Sequence, residues 1–212
     1  MILFMRHLSA RFLLVSGFFF VIQIVTHAQK FEAGAVLGLN TSQITGDNFA
    51  GYNQPGLIAG IWVSRSIGDH AQLVMEMEYL PKGSRKNPKP TDLDFQFYRL
   101  RLHYIEVPLI FQYRINKHFS LEAGLSYGAL IGVYEADENG ELIGNFAPQE
   151  QFKRSDISFN AGVNWLIDEK WAFNVRSINS IFPVRDFPNK VTTFLNRGQY
   201  SNCVMGRLLY KF

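Results

Sequence analysis

Apolar and polar residues alternate with period two in eight separate stretches, and the connections between those stretches come in two lengths. The short ones are Gly68-Asp69-His70, Asn116-Lys117-His118 and Asp168-Glu169-Lys170. The long, polar ones fall near residues 41–54, 82–94, 134–153 and 181–198. A period of two sends successive side chains to opposite faces of a β-sheet. Tight turns alternating with long loops are the layout of a closed barrel in an outer membrane, with the turns on the periplasmic side. The expected fold class is therefore all-β: an eight-stranded antiparallel up-and-down transmembrane β-barrel.

The N-terminus reads as an address and not as part of that fold. Arg6, His7 and Arg11 form a basic region, an apolar run covers residues 12–25, and Thr26-His27-Ala28 supplies small residues at a cleavage site. The run is shorter than the roughly 20 residues a spanning helix needs, which argues against an uncleaved anchor. Residues 1–28 are thus expected to be a cleaved signal peptide and residues 29–212 the barrel domain. Cleavage would remove Arg6 and Arg11 and lower the formal charge of +3 by two, leaving no basic field suited to nucleic acid. The single cysteine, Cys203, excludes an intramolecular disulfide and any cysteine-based metal cluster.

The strands differ in how cleanly they alternate. In the third, Leu73, Met75, Met77 and Tyr79 oppose Gln72, Glu76 and Glu78. In the fifth, Phe119, Leu121, Ala123, Leu125 and Tyr127 oppose Ser120, Glu122, Gly124, Ser126 and Gly128. The fourth breaks the pattern: Tyr98, Leu100, Leu102 and Tyr104 are apolar at even numbers, then Val107, Leu109, Phe111 and Tyr113 at odd ones. Such a flip predicts an extra residue, a β-bulge in the fourth strand at Tyr104-Ile105-Glu106, and Pro108 fits an interrupted ladder. Aromatics near strand ends (Phe119, Trp165, Trp171, Phe173, Tyr79, Tyr104, Tyr127 and Tyr210) are expected to form interfacial girdles.

Alternation alone fits a soluble barrel with its apolar face inward as well as a membrane barrel with that face on lipid. The polar face carries Glu76, Glu78, Arg99, Arg101, Glu106, Arg114, Glu122, Asp156 and Arg176 among many glycines and serines. Charges of both signs interleaved with small residues suit the narrow interior of an eight-stranded barrel, where buried charges must pair. The membrane barrel follows. Gly206, Leu208, Tyr210 and Phe212 share one face at the end of the sequence, and a final aromatic with another two residues earlier is the type of signal the barrel assembly machinery reads. Its usual glycine position holds Arg207.

Several stretches resemble the PorT-like outer-membrane β-barrel proteins of the Bacteroidetes. They are Gly34-Ala35-Val36-Leu37-Gly38-Leu39-Asn40-Thr41-Ser42-Gln43-Ile44, then Gly46-Asp47 and Gly51-Tyr52, then Glu76-Met77-Glu78-Tyr79 with Lys82-Gly83-Ser84. Tyr104-Ile105-Glu106-Val107-Pro108-Leu109 and Glu122-Ala123-Gly124-Leu125-Ser126-Tyr127-Gly128 complete the set. The resemblance implies an eight-stranded barrel inserted in the bacterial outer membrane. The founding member is implicated in protein secretion, but a shared barrel does not carry the task with it.

Glu76, Glu78, Arg99, Arg101, Glu106, Arg114 and Glu122 are the candidate lumen charge network, to be read as a paired plug in preference to an ion path. The basic stretch at residues 82–90 and the acidic one at residues 135–141 are read as solvated loops, with anionic lipopolysaccharide and a bridging cation as their functional alternatives. An enzyme would need a nucleophile beside a base; His70 and His118 fall in the short turns, away from the external mouth, His103 has no evident serine partner, and there is no His-Glu-x-x-His motif. The expected protein is a monomer without catalytic, cofactor or metal residues. Its partners are outer-membrane lipid, the assembly machinery during insertion, and a protein reached through external loops. A narrow channel or an accessory part of a secretion system is the alternative.

Overall fold

Turn chemistry at one end of the molecule and backbone pairing around it build the fold. Asn116 Oδ1 accepts hydrogen bonds from the backbone N–H groups of His118 and Phe119, and Asp168 Oδ1 accepts from Lys170 and Trp171 in the same way. These side chains mimic a backbone turn and close two hairpins tightly. The third tight turn uses Gly68 at φ +68°, a conformation that costs glycine little.

A computed structural model describes residues 31–47, 49, 51–143, 152–186 and 198–212. The export segment assigned to residues 1–28 lies outside the described residues. Among those residues the strands are β1 (Phe31–Thr45), β2 (Gln54–Ile67), β3 (Ala71–Lys86), β4 (Tyr98–Arg114), β5 (Phe119–Asp137), β6 (Gly140–Ile143), β7 (Ser155–Leu166), β8 (Trp171–Ser180) and β9 (Tyr200–Lys211). A 3₁₀ turn, Pro90–Asp92, sits in the loop after β3. All neighbours pair antiparallel in chain order, and β9 returns to pair with β1. β6 is a short flap on the upper part of β5, so the closed ring is eight-stranded, as the alternation predicts.

The apolar face is outside. Leu39, Leu57, Met75, Leu109, Leu121, Leu125, Phe159 and Val163 all project from the wall as exposed side chains. A continuous exposed apolar belt is what a lipid-facing barrel surface requires. Paired aromatics band its short-turn end, with Phe119 stacked on Trp165 at 6.5 Å and Trp171 tilted against Tyr210 at 4.8 Å between ring centroids. Tyr104 does not join a girdle: it points inward and is fully buried.

The irregularity at the level of Tyr104 is real, but the extra residue is on the neighbouring strand. β4 keeps one register along β3 from Ala71↔Tyr113 to Lys86↔Tyr98. Against β5 the pairing jumps from Tyr104↔Leu130 to His103↔Gly132, leaving Ile131 unmatched. The bulge expected at Tyr104-Ile105-Glu106 is therefore corrected to β5. Even-numbered residues of β4 face inward throughout, from Leu100 to Gln112, so what flips along this strand is polarity and not geometry. Pro108, which has no N–H to donate, coincides with a gap in the β3–β4 pairing between Met75↔Leu109 and Glu78↔Glu106 that leaves the register unchanged.

Ile131 makes a sharp prediction. Deleting it turns β5 into a regular strand in which Val133 and Glu135 still face inward, so the barrel should fold with a loss of at most about 2 kcal/mol. Deleting Leu125, where no bulge absorbs the change, reverses one half of the strand and should abolish folding. The heat-modifiable band on a semi-native gel distinguishes the two variants.

Candidate functional site

Along β3 the inward positions run Val74, Glu76, Glu78, Leu80, Lys82, all buried. Buried side chains from the other strands join these apolar and charged positions at matching heights and divide the lumen into layers. The central layer is ionic. Arg176 donates both terminal nitrogens to the two oxygens of Glu76, each at 2.9 Å, and its Nε to Glu122 at 2.6 Å. Arg207 donates to Glu76 at 2.6 Å and to Glu78 at 2.9 Å, while its Nε reaches Asn174 Oδ1 at 3.0 Å. Glu122 also accepts from Gln112, Asn164 and Asn174 at 2.8–2.9 Å. Arg176, Arg207 and their carboxylate partners have no solvent-exposed side-chain surface.

Space for the ionic layer comes from missing side chains. A Cβ on Gly38 would lie 2.8 Å from Cγ of Arg207, and one on Gly162 would lie 2.7 Å from Oε1 of Glu122. A second charged group lies further along β3. Lys82 pairs with Asp156 at 2.9 Å and Glu106 at 3.1 Å and stands 5.0 Å from the centre of the Tyr104 ring. Ser126 and Ser158 donate to those two carboxylates at 2.6 and 3.1 Å. Ile58, Leu80, Ile178, Cys203 and Met205 pack together as a separate buried apolar cluster.

Both ends of the lumen are closed by apolar side chains. At the long-loop end Ile44, Leu100, Leu102, Tyr104, Val133, Phe152 and Val184 form a buried cap. Arg185 from the last long loop clamps it with a bidentate pair to Glu135 at 2.9 and 3.0 Å, its guanidinium 4.3 Å from the Phe152 ring. Beside it, burial pushes the Asp47 carboxyl above the ordinary carboxylate range. Toward the tight turns, Val36, Trp62, Val74, Ile110 and Leu209 make a floor, with the Trp62 indole N–H donating to the Ala35 carbonyl at 3.2 Å. Beneath the floor is a cavity of about 330 Å³, bordered by Glu32, Arg114, Lys170 and Lys211 among others.

The structure divides the seven sequence-predicted lumen residues. Glu76, Glu78, Glu106 and Glu122 are all buried inside. Arg99 and Arg101 are on the outward face of β4 with Leu109 and Phe111, and Arg114 is exposed at the short-turn end, beside the cavity. The cations that serve the carboxylates are Arg176, Arg207 and Lys82. Lys82 belongs to β3 and not to a loop, and Glu135 likewise belongs to β5. Arg207 was legible in principle: Val204, Leu208 and Tyr210 mark the outward face of the last strand, which leaves Arg207 pointing in. Arg99 and Arg101 mislead because the long-loop end of β4 has its apolar side chains inside.

A closed eight-stranded wall, apolar outside and ionically packed within, defines an outer-membrane β-barrel. The chain belongs to the family described as outer membrane protein beta-barrel domain, whose model matches residues 26–185. Among solved structures it is similar to Ail, the attachment invasion locus protein of Yersinia pestis, at 11% identity and TM-score 0.50, covering 86% of this chain and 99% of that one. It is also similar to Neisserial surface protein A, at 10% identity and TM-score 0.50, covering 86% and 97%. At such identities the likeness is one of fold. A search of curated protein sequences finds no match.

Removing one partner from a buried ion pair costs about 3–5 kcal/mol, because the other charge is left without compensation. Glu76→Leu takes a carboxylate from Arg176 and Arg207 at once, leaving them only Glu122 and Glu78, and should fall near the top of that range. Glu106→Leu leaves Lys82 its Asp156 partner and should cost less. Urea midpoints of the two variants, compared with the parent barrel in the same detergent, check the order.

Proposed function

We propose that this protein is a PorT-like member of the barrel family and acts as a sealed outer-membrane platform that presents its long loops to a partner. The observation that carries the reading is the complete burial of Arg176 and Arg207, each tied to carboxylates on strands across the barrel. An open path needs mobile or hydrated charges, whereas these arginines are held at several points and shut between apolar layers. The packed interior suits a wall element that transmits no solute. The surface left for recognition is then the long-loop end, including the loop at residues 87–97 with exposed Leu93 and Phe95.

In this reading residues 1–28 direct export and are removed, the terminal aromatics engage the assembly machinery, and the barrel works as a monomer without catalysis or cofactor. The cavity beneath the floor favours one second reading, an accessory role in a secretion system in which a periplasmic component docks at the short-turn end.

Planar-bilayer recording of the refolded barrel should show no steady conductance; stable, salt-dependent steps would overturn the sealed platform. Removing the loop at residues 87–97 should leave the folded band intact and abolish crosslinks formed in cells, whereas unchanged crosslinks would place recognition elsewhere. Deleting Phe212 should lower outer-membrane yield several-fold, measured by cell fractionation, and normal yield would argue against the terminal signal.

A further inference from the structure

The outward face of β3 and β4 changes character abruptly. From the short-turn end of β4 it reads Tyr113, Phe111, Leu109, Val107, Ile105, and then His103, Arg101, Arg99. On β3 the odd positions pass from Leu73, Met75 and Met77 through Tyr79 to Arg85. The boundary is a single pair, with the Tyr79 hydroxyl hydrogen-bonded to His103 Nδ1 and the two rings stacked at 5.9 Å. From Tyr113 to Ile105 the apolar run covers about 27 Å of strand at ~3.4 Å per residue, or about 20 Å of membrane thickness at a tilt of ~40°. That approaches the ~25 Å apolar band of such barrels. Arg101 and Arg99 are the next cations beyond it, at the height of lipid headgroups.

The pairing sets Arg85 directly opposite Arg99, with Arg101 one position lower on the same face. Like charges directly opposite on a sheet repel. Among the described residues no carboxylate lies within ion-pair distance of any of the three; Arg85 reaches only the Asn87 amide oxygen, at 2.8 Å, and Arg99 lies 5.6 Å from the Phe97 ring. Arg99 Nε is buried without a hydrogen-bond partner. Three arginines at neighbouring positions of one face, without an ion-paired carboxylate among the described residues and directly above a surface made for acyl chains, describe a site for a ligand that is anionic at one end and apolar at the other.

We propose that Arg85, Arg99 and Arg101 clamp a phosphate group of a phosphorylated outer-leaflet glycolipid, of the lipid A type, whose acyl chains lie along Met77, Ile105 and Val107. Guanidinium forks match phosphate oxygens two at a time, which an ammonium does not. The assignment of the leaflet rests on the reading that the long loops face the exterior; the clamp itself rests on the side chains alone.

The test uses the refolded mature barrel in neutral detergent, titrated with bisphosphorylated lipid A, dephosphorylated lipid A, phosphatidylglycerol or inorganic phosphate. Retained lipid is counted by native mass spectrometry, and thermal unfolding is followed in parallel. Lipid A should be retained and should raise the unfolding midpoint, and the variant R99Q/R101Q should bind it at least tenfold more weakly while keeping its heat-modifiable band. Equal binding by the variant, equal binding of the dephosphorylated lipid, or the same stabilisation by inorganic phosphate would overturn the proposal. Arginine-dependent binding of phosphatidylglycerol in place of lipid A would overturn the leaflet assignment, and protease accessibility of the long loops on whole cells tests that orientation separately. If R99Q/R101Q does not fold, R85Q is measured in its place, together with the salt dependence of lipid A binding to the parent barrel. Weaker binding by R85Q and at high salt supports the clamp, and no change in either overturns it.

Discussion

Glu76 holds two guanidinium groups at once, and the interior of the barrel depends on that arrangement. Arg176 comes from β8, Arg207 from β9, Glu122 from β5 and Glu76 with Glu78 from β3, so one connected cluster ties four strands together across the lumen. With lipid outside and apolar layers at either end, each of these charges is far from water and is stable only through the others. The glycines at 38 and 162 follow from this, since a side chain at either would collide with the cluster. Packing and electrostatics set the same requirement here.

The polarity of the wall follows what surrounds it. Where lipid surrounds the barrel, the outer face is apolar and the lumen is polar, as the Leu109 and Glu106 positions of β4 show. Further along the same strand the arrangement reverses: Leu100, Leu102 and Tyr104 turn inward into an apolar cap while Arg99 and Arg101 turn out. The upper segment is built like a soluble barrel and the lower one like a membrane barrel, on one uninterrupted strand.

That reversal explains what was legible from the residues. The eight strands, the closed barrel and the short turns could be read because polarity and backbone parity coincide over most of the chain. Glu76, Glu78 and Glu122 could be placed for the same reason. At β4 the two signals part company, and a polarity change looks like a shift in backbone phase. Arg99 and Arg101 were thus expected inside, while the actual extra residue, Ile131, hides among apolar neighbours in β5 that give no sign of it. Arg207 was obscured differently, as a misfit in a terminal motif. Which carboxylate pairs with which cation depends on contacts between strands far apart in the chain, and no local pattern encodes them.

The contact between Arg207 and Glu76 also bears on the order of assembly. The two residues are 131 positions apart, and the arginine is on β9, whose pairing with β1 closes the ring. Until that seam forms, the carboxylates on β3 have only part of their counter-charge, and an open sheet would present them unneutralised to hydrocarbon. Late partners of this kind make a partly inserted intermediate unfavourable in bare lipid. Closure of the seam and neutralisation of the lumen are therefore a single event, and the growing sheet must be kept hydrated or shielded until its last strand arrives.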